Sequence, residues 1–422
     1  MGEFSEKGII MRGETKPEFT RYQFLLVAII ALVLMTIVLD FMLISALSAI
    51  LLPKLEITTK QFGLLVSAYP ISAGISAILL SGYADKIDRR KLLLFFYSGF
   101  LLGLLFCANA PSFQALIVAR IITGIFGGVV GPICFAIVTD FFETTQRGRA
   151  FGILQMASAG SQILGLPLAL YLASELDWRV AFGLVLFLGI IAVFLVFWKI
   201  KPIDKHLQIP AKLNPLHHSL KIISNKNYLI VFLSNTVLVS GDIILMTFSS
   251  AFCTNNLGVD LEDLPLLYGI AGVATFIFAP IIGRLTDKYG TLNVFLVGTI
   301  LTIMMVAVFT NLGINPLWAV IIVHTLLFLG NNARSISSSA LGTVVPEVED
   351  RGAFMAVDAA MQLAVGGMAA MIAGLIVFQS EDGMINNFPT LGLVVISLMI
   401  LTGGLMYLIN RMVKRRNTTI IT

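Results

Sequence analysis

The sequence predicts an all-α polytopic membrane protein with twelve spans in two related six-helix halves. Three observations carry that prediction: the share of apolar residues, the placement of lysine and arginine, and signals that recur about 200 residues apart.

Hydrophobic residues fill 57% of the 422 positions and charged residues only 12%, about half the usual charged share. A globule in water cannot hide so much apolar surface. The apolar residues are also bunched in runs, and about 20 of them in a helix cross the ~30 Å hydrocarbon layer. Each run must be helical, because an open strand in lipid leaves backbone groups unpaired. Runs bounded by turn and charge signals give spans over residues 23–52, 60–82, 91–110, 113–140, 149–173 and 178–199. The second set is 227–253, 264–286, 291–312, 316–341, 352–378 and 386–410. The polar start and the length of the first run argue against a cleavable signal peptide. Cys107, Cys134 and Cys253 lie in or beside apolar runs without CxxC spacing. They read as small buried hydrophobes, not as a disulfide or metal site.

The basic residues orient the spans. With both termini in the cytoplasm, 23 of the 28 lysines and arginines fall inside, in the tails, the linker and alternate loops. Only Lys54, Lys60 and Arg179 fall outside, and Arg120 and Arg334 lie within spans. Such asymmetry is the positive-inside pattern of a multi-pass inner-membrane protein. The chain then divides into a cytoplasmic tail (1–22), a first half (23–199), a cytoplasmic linker (200–226), a second half (227–410) and a tail (411–422). His206, His217 and His218 fall in the linker without a third ligand beside the adjacent pair, and read as solvated residues.

The loops repeat. After span 2 stands Gly82-Tyr83-Ala84-Asp85-Lys86-Ile87-Asp88-Arg89-Arg90-Lys91, and after span 8 Gly283-Arg284-Leu285-Thr286-Asp287-Lys288. After span 4 stands Arg147-Gly148-Arg149-Ala150-Phe151, and after span 10 Arg351-Gly352-Ala353-Phe354. A common offset at equivalent loops marks a parallel repeat. On six plus six spans, these loops resemble those of the major facilitator superfamily, over nearly all of residues 20–412. The resemblance implies that Gly82 packs span 2 against span 11 and that Asp85, Arg89 and Arg90 form a charge relay. Gly283 and Asp287 would be the weaker copy, and Asp88 departs from the glycine usual at its place. Arg120-Ile121-Ile122-Thr123-Gly124 is similar to the span 4 signature of drug–proton antiporters. Gly160 to Pro167 is similar to their span 5 motif, with Leu166 interposed. The whole is similar to the arabinose-efflux-like permeases. Helix packing is the rival reading of both motifs, since small residues allow close approach and proline kinks a span.

An ionisable group at mid-span costs at least ~2.5–3.5 kcal/mol and needs a reason. Asp40 and Asp242 are 202 residues apart, and Arg120 and His324 are 204 apart. Each half thus places an acid on its first helix and a base on its fourth, the helices that line the cavity in the family fold. An Asp40–Arg120 pair is expected across a wet tunnel, opening as a proton or substrate arrives; a static pair that locks helices is the rival. An isolated carboxylate holds its proton more tightly and a nearby arginine loosens it, so a moving pair can couple proton flow to transport. Asp242 and His324 would form a second site, with a base able to titrate near neutrality. Arg334 and Asp358, at matched depth, read as a bridge at a cytoplasmic gate. Asp140 is expected to pair with Arg147 or Arg149. Phe41, Tyr69, Gln155, Gln162, Asn235, Asn331 and Gln362 are candidates for the substrate lining, as are Met42, Ser45 and Asn332.

These features predict a secondary active transporter that moves a small organic solute by alternating access, foremost as proton-coupled efflux (antiport). A symporter or uniporter importing a sugar or organic acid shares the fold and stays open. A non-transporting receptor or scaffold fits poorly with tails this short. HExxH, a phosphate-cradling glycine loop and a nucleophile elbow are all missing, so an enzyme is not expected. The proton gradient is the expected energy source, with no cofactor and no metal. The expected partners are the solute, protons and the lipid bilayer, without nucleic acid, and the expected state is a monomer.

Overall fold

The computed structural model describes residues 19–80, 86–204, 207, 221–347 and 350–421, without the side chains of Thr144 and of residues 417–421. Gly82, Asp85, His206, His217 and His218 lie outside the described residues.

Among the described residues, twelve helices are long and apolar enough to cross a membrane. In chain order they are α1 (Arg21–Ala46), α2 (Thr59–Leu80), α3 (Arg89–Ala108), α4 (Phe113–Phe141), α5 (Thr145–Glu175) and α6 (Trp178–Lys199). The second set is α7 (Lys226–Asn255), α8 (Leu261–Tyr289), α9 (Thr291–Thr310), α10 (Leu317–Gly342), α11 (Arg351–Ile376) and α12 (Phe388–Arg416). An even number of alternating spans returns the chain to the face it started from. That face carries the basic loops, and is called here the basic face.

Local chemistry sets the helix ends. Thr20 and Gln23 cap each other's backbone at the start of α1, satisfying donors that the first turn leaves unpaired. Asp88, the residue that departs from the family glycine, caps α3 by accepting from the backbone N–H of Arg90 and Lys91 at 2.7 and 3.2 Å. Ser112, Asp177 and Asn225 cap α4, α6 and α7 in the same way.

The first helix of each half is broken. The run expected to continue over 23–52 stops at Ala46 and resumes as a short helix, Ser48–Lys54. In the second half the helix stops at Thr247 and resumes at Ser249. The break residues, Leu47 and Phe248, stand 201 positions apart, in step with the repeat. Each break residue is apolar and is followed directly by a serine, Ser48 or Ser249, within a run that otherwise reads as one span.

The two halves meet mainly away from the basic face. There the short segments after the breaks touch, and the backbone N–H of Ala251 donates to Ser48 Oγ at 3.1 Å. The rings of Phe62 and Phe248 lie 5.4 Å apart. A hairpin of β1 (Phe378–Gln379) and β2 (Ile385–Asn386) is tied down by Asn255 and Asn256. Along α2 and α11 the backbones come very close. A Cβ on Gly374 would stand 2.5 Å from the carbonyl oxygen of Thr59, and one on Gly63 2.8 Å from that of Ala370. Small residues are what allow such an approach. α5 and α8 touch at mid-height, where Gly272 leaves room for the backbone of Gln162. Towards the basic face α5 turns outward: Gln155 and Met156 are exposed, and a Cβ on Gly148 or Gly152 would meet nothing. α2 and α11 stay in contact further towards the basic face, where a Cβ on Gly74 would stand 2.9 Å from the Ala360 carbonyl oxygen, whereas one on Gly283 of α8 would meet nothing.

Candidate functional site

In the first half, α1 delivers Asp40 and α4 delivers Arg120. Arg120 Nη1 donates to Asp40 Oδ1 at 2.7 Å, and neither side chain has any solvent exposure. Tyr69 of α2 closes the site, with its ring 4.8 Å from the guanidinium and 6.0 Å from the ring of Phe41. Glycines on α4 let α2 come that close. A Cβ on Gly124 would stand 2.4 Å from the Tyr69 carbonyl oxygen, and one on Gly128 2.5 Å from that of Ala73. The span 4 signature thus packs a helix against the ion pair. The expected pair is present, but the expected wet tunnel beside it is not: the pair is sealed. Asp40 Oδ2 and Arg120 Nε and Nη2 have no hydrogen-bond partner among the described residues.

The second half differs. Asp242 of α7 pairs with Arg334 of α10 at 3.3 Å, and Arg334 also donates to Asn331 Oδ1 at 3.2 Å. The Asp242 side chain keeps 26% of its exposure while that of Arg334 has 1%. Two expectations fail here. Arg334 does not bridge to Asp358. Instead Asp358 Oδ2 accepts from Asn235 Nδ2 and Gln362 Nε2, both at 2.9 Å. The reason is geometric, since every Cα–Cβ bond tilts towards the start of its own helix. α10 starts at the far face and α11 at the basic face, so at matched depth their side chains diverge. α7 also starts at the basic face, and Asp242 sits higher on it, so its side chain descends as Arg334 climbs.

His324 does not join Asp242 either. It is fully buried, with ring centroids of Tyr268, Phe309 and Phe328 at 5.1, 6.2 and 4.7 Å, and neither ring nitrogen has a partner among the described residues. The repeat puts it in step with Arg120, but the aromatic packing of α8, α9 and α10 closes it off from the cleft.

At the basic face Arg89 pairs with Asp140 at 2.9 Å, linking the start of α3 to the end of α4. This replaces the expected pairing of Asp140 with Arg147 or Arg149; Arg147 Nε donates to the Phe142 carbonyl at 3.1 Å. Arg90 donates to the carbonyl of Phe197. Gly283 and Asp287, the second copy of the loop motif, lie on an open stretch of α8, where a Cβ on Gly283 would meet nothing.

Among the lining candidates, Asn235, Asn331 and Gln362 gather around the second-half acids, half-buried. Phe41 and Tyr69 belong to the sealed pair, Gln155 is exposed on α5, and Gln162 packs through its backbone. Sequence reading missed Ser338 of α10, which donates to Asn235 Oδ1 at 2.9 Å. It also missed a π-helical turn at Ser161–Gly165. That turn lies inside the Gly160–Pro167 motif, and Ser161 there donates to the Met35 carbonyl at 2.8 Å. The irregular spacing of the motif was its only signal.

The sequence matches the Major Facilitator Superfamily over residues 29–371 and again over 240–420. It is similar to an uncharacterized MFS-type transporter, YbcL, of Bacillus subtilis (strain 168), with 23% identity over 81% of this chain and 86% of that protein. It is also similar to a probable sugar efflux transporter of Helicobacter pylori (strain P12), with 26% identity over 56% of this chain and 60% of the relative. Among solved structures, the fold matches a bacterial homolog of the human lysosomal transporter Spinster, with a TM-score of 0.75 at 14% identity, over 94% of this chain and 99% of the other. The nucleoside transporter NupG matches with a TM-score of 0.72 at 15% identity, over 91% of this chain and 99% of the other.

Proposed function

The chain belongs to the Major Facilitator Superfamily, and from that premise we propose that it exports a small organic solute across the inner membrane in exchange for protons. Transport of small solutes follows from the family; direction and coupling are our reading. The basic face is taken as cytoplasmic, supported by the lopsided placement of lysine and arginine. The relatives named probable sugar efflux transporters support the outward direction.

One observation carries the coupling. Acids at matching steps of the repeat are both paired to arginine, but Asp40–Arg120 is fully buried while the Asp242 side chain keeps part of its exposure. A proton arriving from the basic face cannot reach Asp40 in this conformation. A proton from the far face can do so only after the halves rock, that face opens and α1 shifts against α4. A carboxylate drawn away from its arginine can then take a proton, so access and protonation change together. The π-turn in α5, where Ser161 meets α1, gives that movement a soft point, since such turns depart from the regular ladder.

A thermal-shift screen of purified protein against varied solutes would supply a cargo. In liposomes, that cargo is expected to move against an imposed proton gradient, with protons moving the other way. Asp40→Asn is expected to abolish pH-driven movement while leaving downhill exchange of cargo for cargo. Undiminished pH-driven transport by Asp40→Asn would remove Asp40 from the coupling.

A further inference from the structure

At the basic face of the second half, the start of α7, the loop between α10 and α11 and the end of α12 surround a cavity of about 490 Å³. That is the size of a small-molecule site. It lies apart from the acids at mid-height, and the transport reading above makes no use of it.

One side of the cavity is cationic. Arg351, in the first turn of α11, lines it, and its guanidinium makes no hydrogen bond or ion pair with any described residue. Arg416 lines it from α12. Its Nη1 donates to the Val345 carbonyl at 3.1 Å, and its Nη2 stands 3.9 Å from Glu347 Oε1, a loose pair that leaves donors to spare. The side-chain amide of Asn227 adds a donor from α7. The loop between them is held in place. Tyr228 donates its hydroxyl to Asp350 Oδ2 at 2.9 Å, and the same oxygen accepts from the backbone N–H of Glu347 at 3.3 Å. The bordering helix ends add Lys226, Arg411, Lys414 and Arg415, so among the described residues cations outnumber the two acids. A guanidinium is a planar, permanently charged fork that matches the oxygens of a phosphate.

The other side is apolar, made of Val344, Pro346, Met412 and Val413, with Val344 half exposed. A free phosphate has no use for such a wall, whereas the glycerol and first methylenes of a lipid do. The depth agrees, because the cavity sits where α7 and α11 begin and α12 ends, at the headgroup level of the leaflet on the basic face. One turn further into the membrane, α12 exposes Tyr407 and Leu408, an apolar flank for an acyl chain. Basic residues just outside a span draw anionic lipid. We propose that this cavity binds the headgroup of an anionic phospholipid, with its phosphate between Arg351 and Arg416 and its chains along α12. A choline headgroup brings a cation that the arginines repel. The inference goes beyond the transport reading and does not depend on it.

The test is native mass spectrometry of the full-length protein, stripped of lipid in detergent and mixed with dioleoyl phosphatidylglycerol or dioleoyl phosphatidylcholine. Wild type is expected to hold a phosphatidylglycerol at least about tenfold more tightly than a phosphatidylcholine, a difference of ~1.4 kcal/mol. Arg351→Gln combined with Arg416→Gln should bring the two lipids level. Arg284→Gln combined with Lys288→Gln removes the same charge from exposed positions near the end of α8 and should leave the preference intact. If the first double variant fails to fold, Arg351→Gln alone serves, because that side chain holds no other described residue. In a last arm sn-glycerol 3-phosphate, which keeps the phosphate and lacks the chains, should displace the bound lipid poorly. The proposal is overturned if wild type holds both lipids alike, if the arginine variants keep the preference, or if the α8 variant loses it too. Displacement by glycerol phosphate at equal concentration would also overturn it, and would mark a site for a free phosphate.

Discussion

Asp40 and Asp242 occupy the same step of a repeated design, yet one meets its arginine in a dry seat and the other at the wall of an opening. The difference lies in the fourth helix. Arg120 sits near the far end of α4, where Gly124 and Gly128 bring α2 and the Tyr69 ring down on it. The same step of α10 holds His324, walled in by aromatics, and the arginine has moved ten residues along to 334. At the step in α4 that matches Arg334 stands Val130, fully buried. The acids stand in step with the repeat, and their arginines do not. A transporter that rocks two halves gains from this: one pair can stay shut while the other meets solvent.

The sharpest way to break the comparison is to remove each base. Arg120→Met leaves a carboxylate alone in a dry seat, and breaking such a buried pair costs about 3–5 kcal/mol. Arg334→Met leaves Asp242 with solvent at hand, so the loss is expected nearer that of a charged hydrogen bond, about 1.5–3 kcal/mol. Thermal unfolding of the two purified variants in detergent checks the order. Equal losses would mean that the halves are not differently wetted.

The second largest effect is expected at the seam between the halves. Gly374→Val would drive side-chain atoms into the Thr59 carbonyl, which has no room to give. The closed face should open. Spin labels at Lys54→Cys and Asp382→Cys, both on that face, should report a longer distance in the glycine variant than in its parent. An unchanged distance would mean that the close approach of α2 and α11 does not hold the face shut.

How much of this was legible beforehand varies from residue to residue. The spans, their number and the repeat are written in apolar runs and basic loops, and the helices follow them to within a few residues. The Asp40–Arg120 pair was legible too, because two opposite charges at matched depth have little else to meet. Arg334 was misassigned because depth alone was compared, whereas the tilt of side chains along antiparallel helices decides which of two acids an arginine reaches. The sealing of Asp40 was not legible. It depends on glycines of α4 admitting α2, a contact between helices that no run or spacing reports. The breaks at Leu47 and Phe248 were hidden because no glycine, proline or charge marks them; their one sign is the serine that follows, Ser48 or Ser249.

Accessibility sharpens the comparison at smaller scale. Cys107, Cys134 and Cys253 are all buried and should resist a membrane-impermeant maleimide. Against that quiet background, Asn235→Cys should react with reagent supplied from the basic face, and Ser48→Cys should not. Reaction at position 48 from the basic face would show that the opening runs right through the bundle.

The smallest effect is expected at His324. Its two ring nitrogens lack partners among aromatic neighbours, and one unsatisfied buried polar group costs about 1–3 kcal/mol. Phenylalanine fits similar space without polar atoms, so His324→Phe should unfold at the same temperature or a slightly higher one. Transport is the second readout. If the histidine is only a remnant of the repeat, turnover and its pH profile should stay as in the parent. If they fall while stability holds, His324 must meet water or another polar group in a different conformation. The second half would then have a working base at the step where the first half keeps Arg120.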